Sequence, residues 1–147
     1  MKNELVVKKT VELKADISKV WEALTNPELT KKYMFGCEVI SDWEVGSSII
    51  WKGLSEGKER VFVKGNIINV ILGKRLEYST FDPNSDLEDV PSNYTVVTYD
   101  LSPKDKNTIL SVAQGDFTNV VEGEKRYQDT IKGWDFALSE LKKVVES

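Results

Sequence analysis

Few side chains in this sequence are able to do chemistry, and their types limit what that chemistry can be. The 147 residues include one cysteine, Cys37, and no histidine. Histidine-based triads, a histidine pH switch, the usual zinc sites and an intrachain disulfide are therefore excluded. Gln114 and Asp116 share the parity of Leu110 and Val112. If those apolar side chains face inward, one or both polar groups face inward with them. A buried amide or carboxylate must find a partner, and a ligand hydroxyl can serve; a frayed strand end with both groups wet is the plainer alternative. Trp51 beside Ile49, and Tyr99 between Val97 and Leu101, occupy inward positions of two expected strands, and Tyr78 and Trp134 add two more rings. Apolar walls with a few polar groups are how small-molecule sites are built, although the same rings also fill cores.

The remaining candidates carry less chemistry. Tyr33, Met34 and Phe35 follow a short helix, where they form either a lid or that helix's hydrophobic seam. Asp86, Glu88 and Asp89 lack the glycine and terminal glutamate of a calcium-binding hand, so a solvated loop is expected. Cys37, with no histidine to activate it, reads as a structural thiol. Asp116 or Glu77 would have to act as acid or base in any cyclase or hydratase chemistry, yet no two carboxylates stand at a catalytic spacing. No catalytic residue, metal ligand or cofactor is assigned from the sequence. The residues put forward for ligand binding are Met34, Phe35, Trp51, Tyr78, Tyr99, Gln114, Asp116 and Trp134.

These side chains need elements to position them, and the bulk composition allows such elements. With 40% hydrophobic and 30% charged residues, the chain has the make-up of an ordinary globular protein that buries roughly 70% of its unfolded surface. One domain over residues 1–147 is expected. The net charge of −4 is spread along the chain with no concentrated basic face, which argues against nucleic acid as a partner. No window has the length and apolarity of a secretory signal or a membrane span, so a cytoplasmic protein without membrane contact is expected.

Alternation of Leu5, Val7, Val11 and Leu13 with polar residues predicts a first strand whose apolar side Lys9 interrupts. Asp16 then caps a short amphipathic helix carrying Ile17, Val20, Trp21 and Leu24, and Asn26-Pro27 stops it and starts another. Six further strands are predicted at 37–41, 47–53, 59–70, 75–81, 94–101 and 108–117. Glycine-, proline- and aspartate-rich breaks separate them, and such short connections favour antiparallel pairing. From about Gly123, the residues Tyr127, Ile131, Trp134, Leu138, Leu141 and Val145 form one apolar stripe at helical spacing. A helix of about 24 residues spans about 36 Å, enough to cross a sheet.

On that order of elements, the run from Ala15 through Trp21 to Asn26-Pro27 resembles the opening motif of the START-like, or SRPBCC, superfamily. The similarity is to its branch of activators of heat-shock protein 90 ATPase homologues. Val45-Gly46, Gly65-Asn66-Ile67, Arg75 to Tyr78, Asn107 to Leu110, and Gly133-Trp134 with Leu138 and Leu141-Lys142 are similar to further pieces of that family, in its order. The resemblance implies an α+β helix-grip fold: a curved seven-stranded antiparallel sheet around a long C-terminal helix, with two short helices after strand one and a cavity between sheet and helix. It also implies a small apolar ligand or, alternatively, docking on a heat-shock protein 90-type chaperone. Where the branch often has histidine near the end of its last strand, this sequence has Gln114.

Overall fold

The computed structural model describes residues 4–146; the first three residues of the opening stretch and Ser147 lie outside them. Strand β1 (Val7–Leu13) is followed by helices α1 (Ile17–Thr25) and α2 (Pro27–Thr30). Then come β2 (Glu38–Ser41), β3 (Ser48–Ser55), β4 (Lys58–Ile71), β5 (Arg75–Thr80), β6 (Thr95–Lys104) and β7 (Asn107–Gly115), and finally helix α3 (Gly123–Val145). The strands form one antiparallel sheet in the order β1-β7-β6-β5-β4-β3-β2, so the first strand closes against the last.

The local chemistry explains the short helices. The Asp16 carboxylate accepts the Lys19 amide at 2.9 Å and caps α1, while the Asn26 side-chain Oδ1 accepts from the Glu28 amide at 2.9 Å and caps α2, which starts on Pro27. Their buried faces hold Val20, Ala23, Leu24 and Thr30.

Curvature comes from β4. This 14-residue strand carries two bulges. Phe62 is left unpaired opposite the Trp51–Lys52 step, and Ile68 opposite the Glu77–Tyr78 step. Each extra residue bends its strand and increases the local twist. Between the bulges β5 presses close. A β-carbon on Gly65 would stand 1.7 Å from the Ser79 carbonyl oxygen, which is why the mid-sheet position has no side chain.

The concave face carries the expected inward residues, Ile49 and Trp51 from β3, Tyr78 from β5, Val97, Tyr99 and Leu101 from β6, and Leu110 and Val112 from β7, together with Leu76 of β5, all buried. Helix α3 lays Trp134, Ala137, Leu138, Leu141 and Val145 onto them. Lys9, at the interruption in β1, is half-buried and reaches Asp135 of α3 at 2.8 Å, tying strand to helix by an ion pair. This is the helix-grip arrangement of a curved seven-stranded sheet around a C-terminal helix.

Candidate functional site

Between the sheet and the N-terminal half of α3 lies a cavity of about 540 Å³. The sequence of α3 explains the opening. Alongside the apolar stripe runs a second seam at steps of four, three and four: Arg126, Thr130, Gly133 and Ala137. All four line the cavity. The small side chains of Thr130, Gly133 and Ala137 leave space, where the neighbouring stripe from Leu138 onward is buried in the core. A β-carbon on Gly133 would meet no atom within 4 Å.

Trp51, Tyr78 and Trp134 supply the aromatic wall, with Phe62 and Val63 at the first bulge of β4. The rings run in a chain across the sheet. Trp51 and Tyr78 have centroids 6.4 Å apart, Tyr78 and Tyr99 are 5.9 Å apart, and Tyr99 meets Trp134 edge-on at 5.9 Å. Tyr99 lies behind the wall and does not line the cavity. Its hydroxyl and that of Tyr78 are hydrogen-bonded at 3.1 Å. Burial pushes both phenols well above their ordinary range, so neither gives up a proton near neutrality.

A polar strip crosses the same wall. The Trp134 indole N–H donates to Gln114 Oε1 at 2.8 Å. Gln114 Nε2 in turn donates to Thr95 Oγ1 at 3.0 Å, and the Thr95 and Thr80 hydroxyls bond at 2.8 Å. All four residues line the cavity. Gln114 therefore points inward, as its parity implies, and its amide is satisfied by protein partners.

Asp116 does not follow it. Strand β7 ends at Gly115, and the Asp116 side chain turns to the surface, where Oδ1 accepts from the Leu5 and Thr118 amides at 3.0 and 2.9 Å. The hydrogen bonds from the Thr118 hydroxyl and amide, with that from the Leu5 amide, hold its carboxyl below the usual carboxylate range. Glu77 is likewise outside the cavity, bound by Arg75 and by the Thr98 hydroxyl at 2.9 Å.

At the other end of the cavity, Met34 and Phe35 line the opening together with Cys37. Tyr33 is instead fully buried, its hydroxyl donating to the Ala23 carbonyl at 2.6 Å. Phe35 is 65% exposed and stacks on the 50% exposed Phe136 of α3 at 5.3 Å. Burial pushes the Cys37 thiol up. The long connection from β5 to β6, read from sequence as a solvated loop, also borders the cavity through Asp82, Ser85, Leu87 and Asn93. Its acidic residues are not gathered for a metal. Asp89 pairs with Lys64 and accepts from the Tyr94 hydroxyl at 2.6 Å, and among the described residues no cluster of metal-ligating side chains occurs.

Sequence reasoning missed Arg126, Thr130, Gly133 and Ala137. The available signal was the small-residue seam beside the stripe, which the longer, more apolar stripe overshadowed.

The model for the family described as Activator of Hsp90 ATPase homolog 1-like protein matches residues 14–146. No curated protein matches the chain. A solution structure from Cytophaga hutchinsonii is 38% identical, covering 97% of this chain and 94% of that one at a TM-score of 0.78. The Aha1 dimer from Colwellia psychrerythraea is 17% identical over 96% of each chain, with a TM-score of 0.71. DynU16, from the dynemicin biosynthetic locus, is 16% identical, covering 99% of this chain and 48% of that one, with a TM-score of 0.77. The last two likenesses show the fold alone. Among the described residues no helix is long and apolar enough to cross a membrane. Order of strands, grip of the last helix and a family match from residue 14 to residue 146 agree, and the chain belongs to the activator of Hsp90 ATPase homolog 1-like branch of the SRPBCC superfamily.

Proposed function

We propose that this chain is a binding domain that takes a small, mostly apolar molecule between the sheet and α3. One observation carries the reading. A cavity of about 540 Å³, walled by Trp51, Tyr78 and Trp134, is kept open by Thr130, Gly133 and Ala137. That volume lies in the range of small-molecule pockets, about 300–1,000 Å³. The polar strip through Gln114 would orient a ligand, while the rings supply its contact area. The test is a thermal-shift and native mass-spectrometric screen of aromatic and aliphatic compounds, with Gly133→Leu as the blocked form. A ligand at one hundred times its Kd stabilises by about 2.7 kcal/mol. The added side chain occupies open space, so the variant should fold and lose that shift. A screen without any shift, or an equal shift in Gly133→Leu, overturns the proposal.

The exposed stack of Phe35 on Phe136 favours a second reading, docking on an Hsp90-type chaperone, as the family's description suggests. Two neighbouring exposed rings on the rim of a fold resemble the aromatic anchors of protein interfaces. The check is the ATPase rate of such a chaperone with the wild-type protein and with the Phe35→Ser/Phe136→Ser double variant. Identical rates with and without wild-type protein remove this reading.

A further inference from the structure

We propose that the cavity selects apolar molecules bearing a carboxylate, with the Arg126 guanidinium as the anchor; this rests on the binding function proposed above. Arg126 sits in the first turn of α3 and lines the cavity. Among the described residues its Nε is the one fully enclosed side-chain nitrogen or oxygen without a hydrogen-bond partner. It also forms no salt bridge with any described carboxylate.

An enclosed guanidinium N–H without an acceptor is costly to maintain. The other polar groups on the wall cannot relieve it. Gln114, Thr95 and Thr80 are committed to one another and to Trp134. Asp129 and Asp82 also face the cavity, but both are exposed to solvent, where water screens their charge. A cavity occupant can supply the missing acceptor. A neutral hydroxyl or amide would accept one hydrogen bond and leave the positive charge uncompensated. A carboxylate accepts two parallel N–H bonds from a guanidinium and cancels the charge. The position near the N-terminus of α3, where the helix dipole favours negative charge, adds to the preference. With the acid held there, the rest of the molecule extends toward Trp134, Tyr78 and Trp51.

The experiment compares a matched pair, biphenyl-4-carboxylate and biphenyl-4-carboxamide, by isothermal titration calorimetry at low salt on the whole chain. The carboxylate should bind about tenfold tighter, the scale of a charge-assisted pair over a neutral one. Arg126→Gln should abolish that preference, bringing the two compounds to within about twofold of each other in the variant. The wild-type comparison needs no variant, so a misfolded Arg126→Gln does not decide it. Equal affinities in wild type, or a preference that survives Arg126→Gln, overturn the anchor and leave the binding function standing. If neither compound binds and the wider screen is also silent, the binding function falls, and the anchor with it.

Discussion

Replacing Gln114 by leucine, close to it in volume, tests whether the polar strip is a structural device. The substitution removes the acceptor of the Trp134 indole N–H, a contact of 2.8 Å at a residue only 6% exposed. The Thr95 hydroxyl loses one donor but keeps its bond to Thr80. Stranding one buried N–H costs about 1–3 kcal/mol. For a chain of this length, the midpoint of about 2 kcal/mol lowers Tm by about 4–8 °C. Trp134→Phe alone carries the loss of ring volume plus the loss of the same bond. The double variant loses both partners together, so a double-mutant cycle should return a coupling of about 1–2 kcal/mol. Urea unfolding followed by far-UV circular dichroism, with m-values compared across the four proteins, is the assay. A Gln114→Leu protein within about 0.3 kcal/mol of wild type, or a coupling indistinguishable from zero, would refute the reasoning.

Three further outcomes are expected. Gly65→Ala drives a methyl group into the Ser79 backbone and should cost more than about 2 kcal/mol, whereas Gly133→Ala, in open space within a helix, should stabilise by about 0.5–1 kcal/mol in the same denaturant assay. Asp116 has its folded pKa depressed, so its stabilising contribution is present above the unfolded carboxylate range and disappears as pH falls through the folded value. Asp116→Asn should accordingly melt below wild type at neutral pH and converge with it as the pH falls through the depressed folded value in a calorimetric pH series. Cys37, whose thiol burial pushes up, should react with iodoacetamide at neutral pH more slowly than a free thiol; because it lines the cavity, a bound ligand should slow the reaction again, as read by intact-mass spectrometry.

Most of the architecture was legible because single periods governed whole elements. Ile49 and Trp51, or Val97, Tyr99 and Leu101, point inward because β3 and β6 alternate without interruption at those positions. The strand from 59 to 70 was legible as one run, but not its two bulges. Nothing in Phe62 or Ile68 themselves distinguishes an unpaired residue from a paired one, since the bend is settled by which strand packs alongside. Asp116 shows the limit of parity. The alternation that correctly turns Gln114 inward stops with the last paired residue, and the next side chain answers to the Leu5 and Thr118 amides instead. Tyr99 was correctly placed inside, yet its inward position does not distinguish a ring on the cavity surface from one sealed behind Tyr78. Arg126 was illegible for an energetic reason. A charged residue on an amphipathic helix normally lies on the wet face, and only the small residues that follow it on the same seam, Thr130, Gly133 and Ala137, open the cavity beside it.

The pairing of β1 with β7 governs how the molecule can be made. Val7 lies opposite Gln114 and Leu13 opposite Thr108, so the earliest strand has no β-partner until the latest one has left the ribosome. The helix that fills the hollow emerges later still. During synthesis the intervening meander can assemble through neighbouring hairpins, but its inner surface stays uncovered until α3 has emerged. The loop-closure entropy of joining β1 to β7 is met only after all the intervening strands have formed. Nascent chains stalled before α3 therefore present an open, aromatic-lined trough to the cell, and it is at that stage, rather than as a finished protein, that this sequence has most need of a holding chaperone.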